Sequence, residues 1–141
     1  MEIRVVADRI DIDVLNKELT ISDYKTGIIP SKSDFYNGVS PQLIIEAIIL
    51  KNGGFGNEIK DFKVKSVEYI KLFGKNKVNE LIFSENLDIT IQKVRHSLEK
   101  LIEIYKNPKT AYLVVPNPYF VPKYNDYGHL ARIQEWLYSG N

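Results

Sequence analysis

Residues 2–12, Glu-Ile-Arg-Val-Val-Ala-Asp-Arg-Ile-Asp-Ile, and residues 19–25, Leu-Thr-Ile-Ser-Asp-Tyr-Lys, decide how this chain folds. Both alternate apolar with polar side chains and are rich in β-branched residues, which is the period of a strand. The segment between them, Asp13-Val14-Leu15-Asn16-Lys17-Glu18, is short and polar around Asn16. The simplest join is therefore an antiparallel hairpin. With Asn16-Lys17 as a two-residue turn, positions summing to 33 face each other, which sets Asp8 opposite Lys25 and diagonal to Asp23. Asp23 and Lys25 point to one face of their strand because side chains alternate. All three then share a surface otherwise made of Val6, Ile10 and Ile21.

Two carboxylates and an ammonium held that close are costly unless something uses them. A divalent cation removes the cost. Hard oxygen ligands suit Mg²⁺ or Mn²⁺, which keep several waters and commonly take one or two carboxylates plus substrate phosphate oxygens. The lysine beside them positions or helps deprotonate an attacking water and offsets charge building on phosphorus. The expected chemistry is phosphodiester hydrolysis, with Asp8 and Asp23 as metal ligands and Lys25 as the catalytic cation. The tripeptide alone does not carry this, since Glu58-Ile59-Lys60 and Asp61-Phe62-Lys63 repeat the pattern with no acidic strand before them.

Beyond the hairpin, Thr26 to Ser31 reads as a loop by its Gly27 and Pro30, followed by a short polar stretch ending at Gly38. Ser40 then caps a helix with Pro41 at its first position, and Gly53 closes it. Its interior, Leu43 to Leu50, is apolar nearly all round, as for a helix buried against a sheet. Gln42 and Glu46 are the exceptions and share one face. Residues 63–73 and 78–83 read as strands, and 87–106 as an amphipathic helix through Ile91, Val94, Leu98, Leu101, Ile102 and Tyr105. The segment from Ala111 to Tyr124, rich in proline and aromatics, reads as irregular after a short strand, and Asp126 as the cap of a last helix through Trp136. The fold class expected is α/β, a central mixed sheet flanked by helices, in one domain over residues 1–141.

With 141 residues the chain has room for one domain and a real core. It has no cysteine, which removes disulfides, thiolate zinc sites, iron–sulfur clusters and cysteine nucleophiles together. No apolar run reaches a membrane span and the start is not a signal peptide, so the expectation is a cytoplasmic protein without a membrane partner. The net charge is +1, so a nucleic-acid partner must be met by a local patch. Six lysines between 60 and 77, against Asp61 and Glu68, offer one, with Lys63, Lys65 and Lys71 as phosphate contacts and Tyr69 and Phe73 interleaved. A strand edge kept soluble by lysine accounts for the same pattern. Arg9 reads as a phosphate contact or, better, as the partner of a neighbouring carboxylate. Asp11 and Asp13 suit a salt bridge or a turn, His96 a solvated helix face, and His129 stands three residues after Asp126 at a spacing that could bring both to a metal.

The runs Ala7-Asp8-Arg9-Ile10-Asp11, Asp23-Tyr24-Lys25-Thr26-Gly27, Ser40-Pro41-Gln42-Leu43 and Gly53-Gly54-Phe55 together resemble the RecB-type branch of the PD-(D/E)XK nucleases. Within it the chain is most similar to the C-terminal nuclease domain of AddB-type subunits, which process DNA double-strand breaks. The likeness continues through Tyr124-Asn125-Asp126-Tyr127-Gly128-His129-Leu130-Ala131-Arg132 and Glu135-Trp136, covering essentially the whole chain. The resemblance implies a restriction-endonuclease-like core, DNA as substrate, Mg²⁺ or Mn²⁺ as cofactor and an AddA-like helicase–nuclease subunit as partner. It implies Asp8, Asp23 and the Tyr24 carbonyl as metal ligands and Lys25 as the catalytic lysine. Gln42 matches the glutamine of the family's Gln-x-x-x-Tyr motif beside the active site, and Glu46 stands where many members have tyrosine. The cluster of some members is excluded by the lack of cysteine. The family also has a helix before the first strand that usually brings a further acidic or histidine ligand. Met1 lies seven residues before Asp8, so that helix is expected to be missing. The alternative expectation is a truncated, non-catalytic domain that binds DNA or a helicase.

Overall fold

The alternating segments form the hairpin, as β1 (Arg9–Asp13) and β2 (Glu18–Lys25), in a register different from the simplest one. The partners are Arg9↔Ser22, Ile10↔Ile21, Asp11↔Thr20, Ile12↔Leu19 and Asp13↔Glu18. The loop is thus Val14 to Lys17 rather than Asn16-Lys17 alone. Asp13 holds it: its carboxylate accepts Asn16 N–H at 3.0 Å and Asn16 Nδ2 at 2.7 Å, bonds that lower its pKa, and Lys17 takes a left-handed φ of 52° to close the turn. The shift moves every cross-strand partner by two positions, so each side chain keeps its face and only its opposite number changes. The strand is also shorter than the alternation suggested. Residues 2–8 form no ladder, Val6 is exposed, and Arg4 pairs with Glu2 in solvent. Period alone supplies no hydrogen-bonding neighbour.

The computed structural model describes residues 2–72 and 78–111. The expected short strand near 111, the Asp126 cap, the helix through Trp136 and the sites at His129, Phe73, Lys75 and Lys77 lie outside them. The chain divides into two compact units, Met1–Glu103 and Ile104–Asn141, and everything that follows concerns the first. After β2 come α1 (Lys32–Tyr36), α2 (Gln42–Lys51), β3 (Lys63–Leu72), β4 (Val78–Phe83) and α3 (Leu87–Lys106). The sheet order is β1-β2-β3-β4. β2 runs parallel to β3 through Ile21↔Val67, Asp23↔Tyr69 and Lys25↔Lys71, with a bulge after Leu19, and β4 is antiparallel to β3. Parallel neighbours need a long crossover, and α1 and α2 provide it. The fold is α/β, a four-stranded mixed sheet flanked by helices.

The polar stretch before Gly38 contains a helix that its composition hid. Ser31 caps α1 in a reciprocal box with Asp34, and this frees Phe35 to enter the core, where it stacks on Phe83 at 3.8 Å. In α2 the cap position belongs to Pro41, not Ser40, with no side-chain capping bond; the Pro41 carbonyl takes Ile45 N–H at 2.8 Å. At the other end Gly53 N–H bonds Leu50 O and Gly54 N–H bonds Ile49 O, each at 2.9 Å. Gly53 has φ +83°, and a Cβ on Gly54 would meet Ile49 Cγ2 at 2.4 Å, so both glycines are needed for the stop.

The core lies on the face of the sheet carrying Leu19, Ile21, Val64, Val67 and Tyr69, under Leu43, Ile44, Ala47 and Leu50 of α2 and Leu87, Ile91 and Val94 of α3. On the opposite face the parallel strands are tied by polar pairs, Thr20 to Ser66 at 3.0 Å and Ser22 to Glu68 at 2.5 Å. Among the described residues no helix is long and apolar enough to cross a membrane.

Candidate functional site

Asp23 and Lys25 continue the face of β2 that Leu19 and Ile21 begin, so the alternation that builds the core delivers a carboxylate and an ammonium at its end. This is the carboxyl end of a parallel strand, where open α/β sheets place their ligand crevices. The start of α2 lies over it. Gln42 Nε2 donates to Asp23 Oδ1 at 2.5 Å and to Glu46 Oε1 at 3.3 Å, while its Oε1 accepts from Lys25 Nζ at 2.9 Å. Lys25 Nζ also meets Asp23 Oδ2 as an ion pair at 2.9 Å, off the hydrogen-bonding direction of that oxygen. Beneath the ammonium is the Tyr69 ring, 5.6 Å from Nζ to centroid, a cation–π contact. Asp8 precedes β1, and its Oδ2 accepts the backbone N–H of Tyr24 at 3.0 Å. Asp8 lies outside the paired residues and does not stand opposite Lys25 as a two-residue turn required.

Burial sets the electrostatics. Asp23 is 3% exposed and Glu46 1% exposed, and each leaves one oxygen, Asp23 Oδ2 and Glu46 Oε2, without a hydrogen bond. Desolvation pushes Glu46 up to about 6, against the Gln42 bond that lowers it; the charges of Asp23 and Asp8 raise it further and that of Lys25 lowers it. Burial likewise lifts the Tyr69 hydroxyl to about 12, helped by Asp23 and Glu46. In both groups burial is the larger cause and the neighbouring carboxylates the smaller. The start of α2 partly offsets the carboxylate charge, because a helix N-terminus favours anions.

The expected phosphate contacts do not gather into one strip. Lys71 stands beside Lys25 at the site end of β3. Lys63 and Lys65 lie at the other end of that strand, roughly 20 Å away at strand rise, and Lys65 is paired with Glu18 at 3.0 Å. Arg9 binds Asp11 at 2.9 Å and its Nη1 donates to the Tyr24 hydroxyl at 3.4 Å, so it serves a carboxylate as expected. His96 is exposed on α3. Among the described residues no group of three or more His, Asp or Glu converges closely enough to form a ready metal site. Tyr69 was not foreseen in the site; the parallel β2–β3 register brings it there, and no local pattern announces that pairing. Glu46 was seen to share a face with Gln42, yet only packing shows that it is buried.

What fold and site define together is an α/β domain with a polar, carboxylate-rich cluster at the end of a parallel strand pair. The chain is 34% identical over 141 residues to an uncharacterized protein of Rickettsia bellii, a match covering 89% of this chain and 16% of that protein. It is 33% identical over 155 residues to an uncharacterized protein of Rickettsia felis, covering 90% and 18%. A third relative, uncharacterized protein RC0550 of Rickettsia conorii, is 34% identical over 145 residues, covering 90% and 17%. The chain therefore spans about a sixth of the length of these relatives. No family model and no solved structure matches it.

Proposed function

We propose that this domain hydrolyses DNA phosphodiesters with a divalent cation, on a restriction-endonuclease-like core of the RecB type. The observation that carries this reading is the bonded cluster of Asp23, Lys25 and Gln42 at the carboxyl end of β2, with Asp8 reaching across from the preceding segment. The donor chemistry fits Mg²⁺ or Mn²⁺: carboxylate oxygens, those of Asp23 buried beside a Glu46 oxygen that accepts no hydrogen bond. Asp8, Asp23 and the Tyr24 carbonyl would hold the ion. When bound it supplies a lowered water pKa and neutralises phosphate charge.

The protein's own share is positioning. Lys25 is held by Gln42 and Asp23 over the Tyr69 ring, so its ammonium is fixed before substrate arrives and can meet a phosphate oxygen or the attacking water without reorganising. Gln42 orients both neighbours through its two amide atoms. Lys71, beside Lys25, extends positive charge along the path of the backbone. The reading includes a cytoplasmic setting in double-strand break repair, with an AddA-like helicase–nuclease subunit as partner.

The test is cleavage of linear single- and double-stranded DNA in Mg²⁺ and in Mn²⁺, with EDTA and the Asp23→Ala protein as controls. Cutting that requires both metal and Asp23 is the expected result. Metal-independent cutting, or none from a protein folded by circular dichroism, would overturn the catalytic reading; DNA binding in the latter case would favour a non-catalytic module.

A further inference from the structure

Among the described residues two carboxylates are buried, Asp23 and Glu46, and the proposed chemistry uses only the first. Each has one oxygen satisfied by the single amide nitrogen of Gln42; the other Asp23 oxygen is ion-paired with Lys25 at 2.9 Å, whereas the other Glu46 oxygen is buried and accepts no hydrogen bond. Among the described residues no ion pair answers Glu46. The other buried residues of α2, Leu43, Ile44, Ala47 and Leu50, are all apolar. An apolar side chain would therefore suit position 46 better as packing, and an ionised one buried there is unfavourable even with the Lys25 charge nearby. Asp8 and Asp23 lie near enough to repel it further. Asp23 and Glu46 thus share one donor, Gln42 Nε2, with Asp8 close enough to raise the Glu46 pKa and Lys25 as a cation that lowers it.

We infer that Glu46 is a further carboxylate of the cation site, binding the same divalent cation as Asp23 through Oε2, the buried oxygen that accepts no hydrogen bond. This rests on the proposed metal-dependent reading. It assigns the ion to α2 as well as to the hairpin, and it makes the Gln42 amide the group that holds the two carboxylates together in the ion's absence. No three carboxylates converge in the described structure, so the Asp23–Glu46 pair forms the nucleus of the site and Asp8 its outer wall.

The test uses Mn²⁺ alone with the full chain, measured by calorimetric titration and by the thermal midpoint with Mn²⁺ or EDTA. The expected result is that Glu46→Gln and Asp23→Asn each weaken Mn²⁺ binding by roughly 10- to 100-fold. Glu46→Gln should also raise the midpoint in EDTA while losing the rise that Mn²⁺ gives the parent, a combination that a merely structural residue would not produce. Glu46→Met, apolar and of similar volume, is the second variant should the glutamine protein fail to fold, with the same loss of Mn²⁺ affinity expected. Parent-like affinity in the Glu46 variants, with loss in Asp23→Asn, would overturn the role of Glu46 and leave the metal-dependent reading standing. No Mn²⁺ binding by the parent, or unchanged binding in Asp23→Asn, would overturn both.

Discussion

The two ends of the β2–α2 interface are built on the same strand face and solve burial in opposite ways. At one end Leu19 and Ile21, with Ala47 and Leu50 from the helix, are essentially inaccessible and need nothing but each other. At the other end Asp23 and Glu46 are buried as deeply, yet are joined through Gln42, with Lys25 on Asp23 and one Glu46 oxygen left open. The apolar end gains from every atom removed from water. The polar end gains nothing by burial, which is why its composition speaks of chemistry and the other of stability.

The sharpest way to test that contrast is to separate activity from folding. Asp23→Ala or Lys25→Ala should lower metal-dependent DNA cleavage on the order of 10³-fold with little change in the far-UV spectrum or thermal midpoint. A comparable loss of stability in either protein would place these residues with the structural end. Ile21→Ala should do the reverse and cost about 3 kcal/mol of unfolding free energy, read from the denaturant midpoint, while any folded fraction keeps its activity.

A smaller effect of opposite sign is expected at Glu46. Its pKa is raised in the folded state, from an ordinary 4.5 to about 6, so the fold binds more protons than the unfolded chain between those values. This contribution is fully present below pH 4.5 and is lost as pH rises through 6. Glu46→Gln should therefore stabilise the metal-free protein by about 2 kcal/mol at pH 7 and by little at pH 4.5, seen as a flattened stability profile over that window. The least effect belongs to a site remote from both ends. Ser31→Ala removes the α1 capping box and should cost about 1 kcal/mol, with cleavage unaffected; a loss of activity there would tie α1 to the site.

Much of this contrast was legible in the sequence. The alternation of Leu19, Ile21, Asp23 and Lys25 places all four on one face, and the spacing of Gln42 and Glu46 places both on one side of α2. Strand β4 and the 20-residue helix α3 fall where their periods put them. The hairpin register was not legible, because Asp13 captures Asn16 and lengthens the loop, while Ile10 pairs with Ile21 over the core. A shift of two preserved the faces and left Asp8 outside the ladder, bonded to the Tyr24 N–H instead of facing Lys25. Helix α1 was hidden because a single buried side chain, Phe35, gives no period to detect. The lysines from 60 to 71 looked like one strip because they are close in sequence, yet the strand carries Lys65 and Lys71 to different ends of the sheet.

By itself, then, the sequence determined which residue types share a face, since that follows from backbone periods of two and 3.6 residues. Only the tertiary structure decided how deeply Asp23 and Glu46 are buried, that Tyr69 underlies Lys25, and that one amide of Gln42 joins two carboxylates. Those facts depend on strand pairing and helix placement between segments distant in the chain, where solvent is excluded by neighbours that no local pattern names.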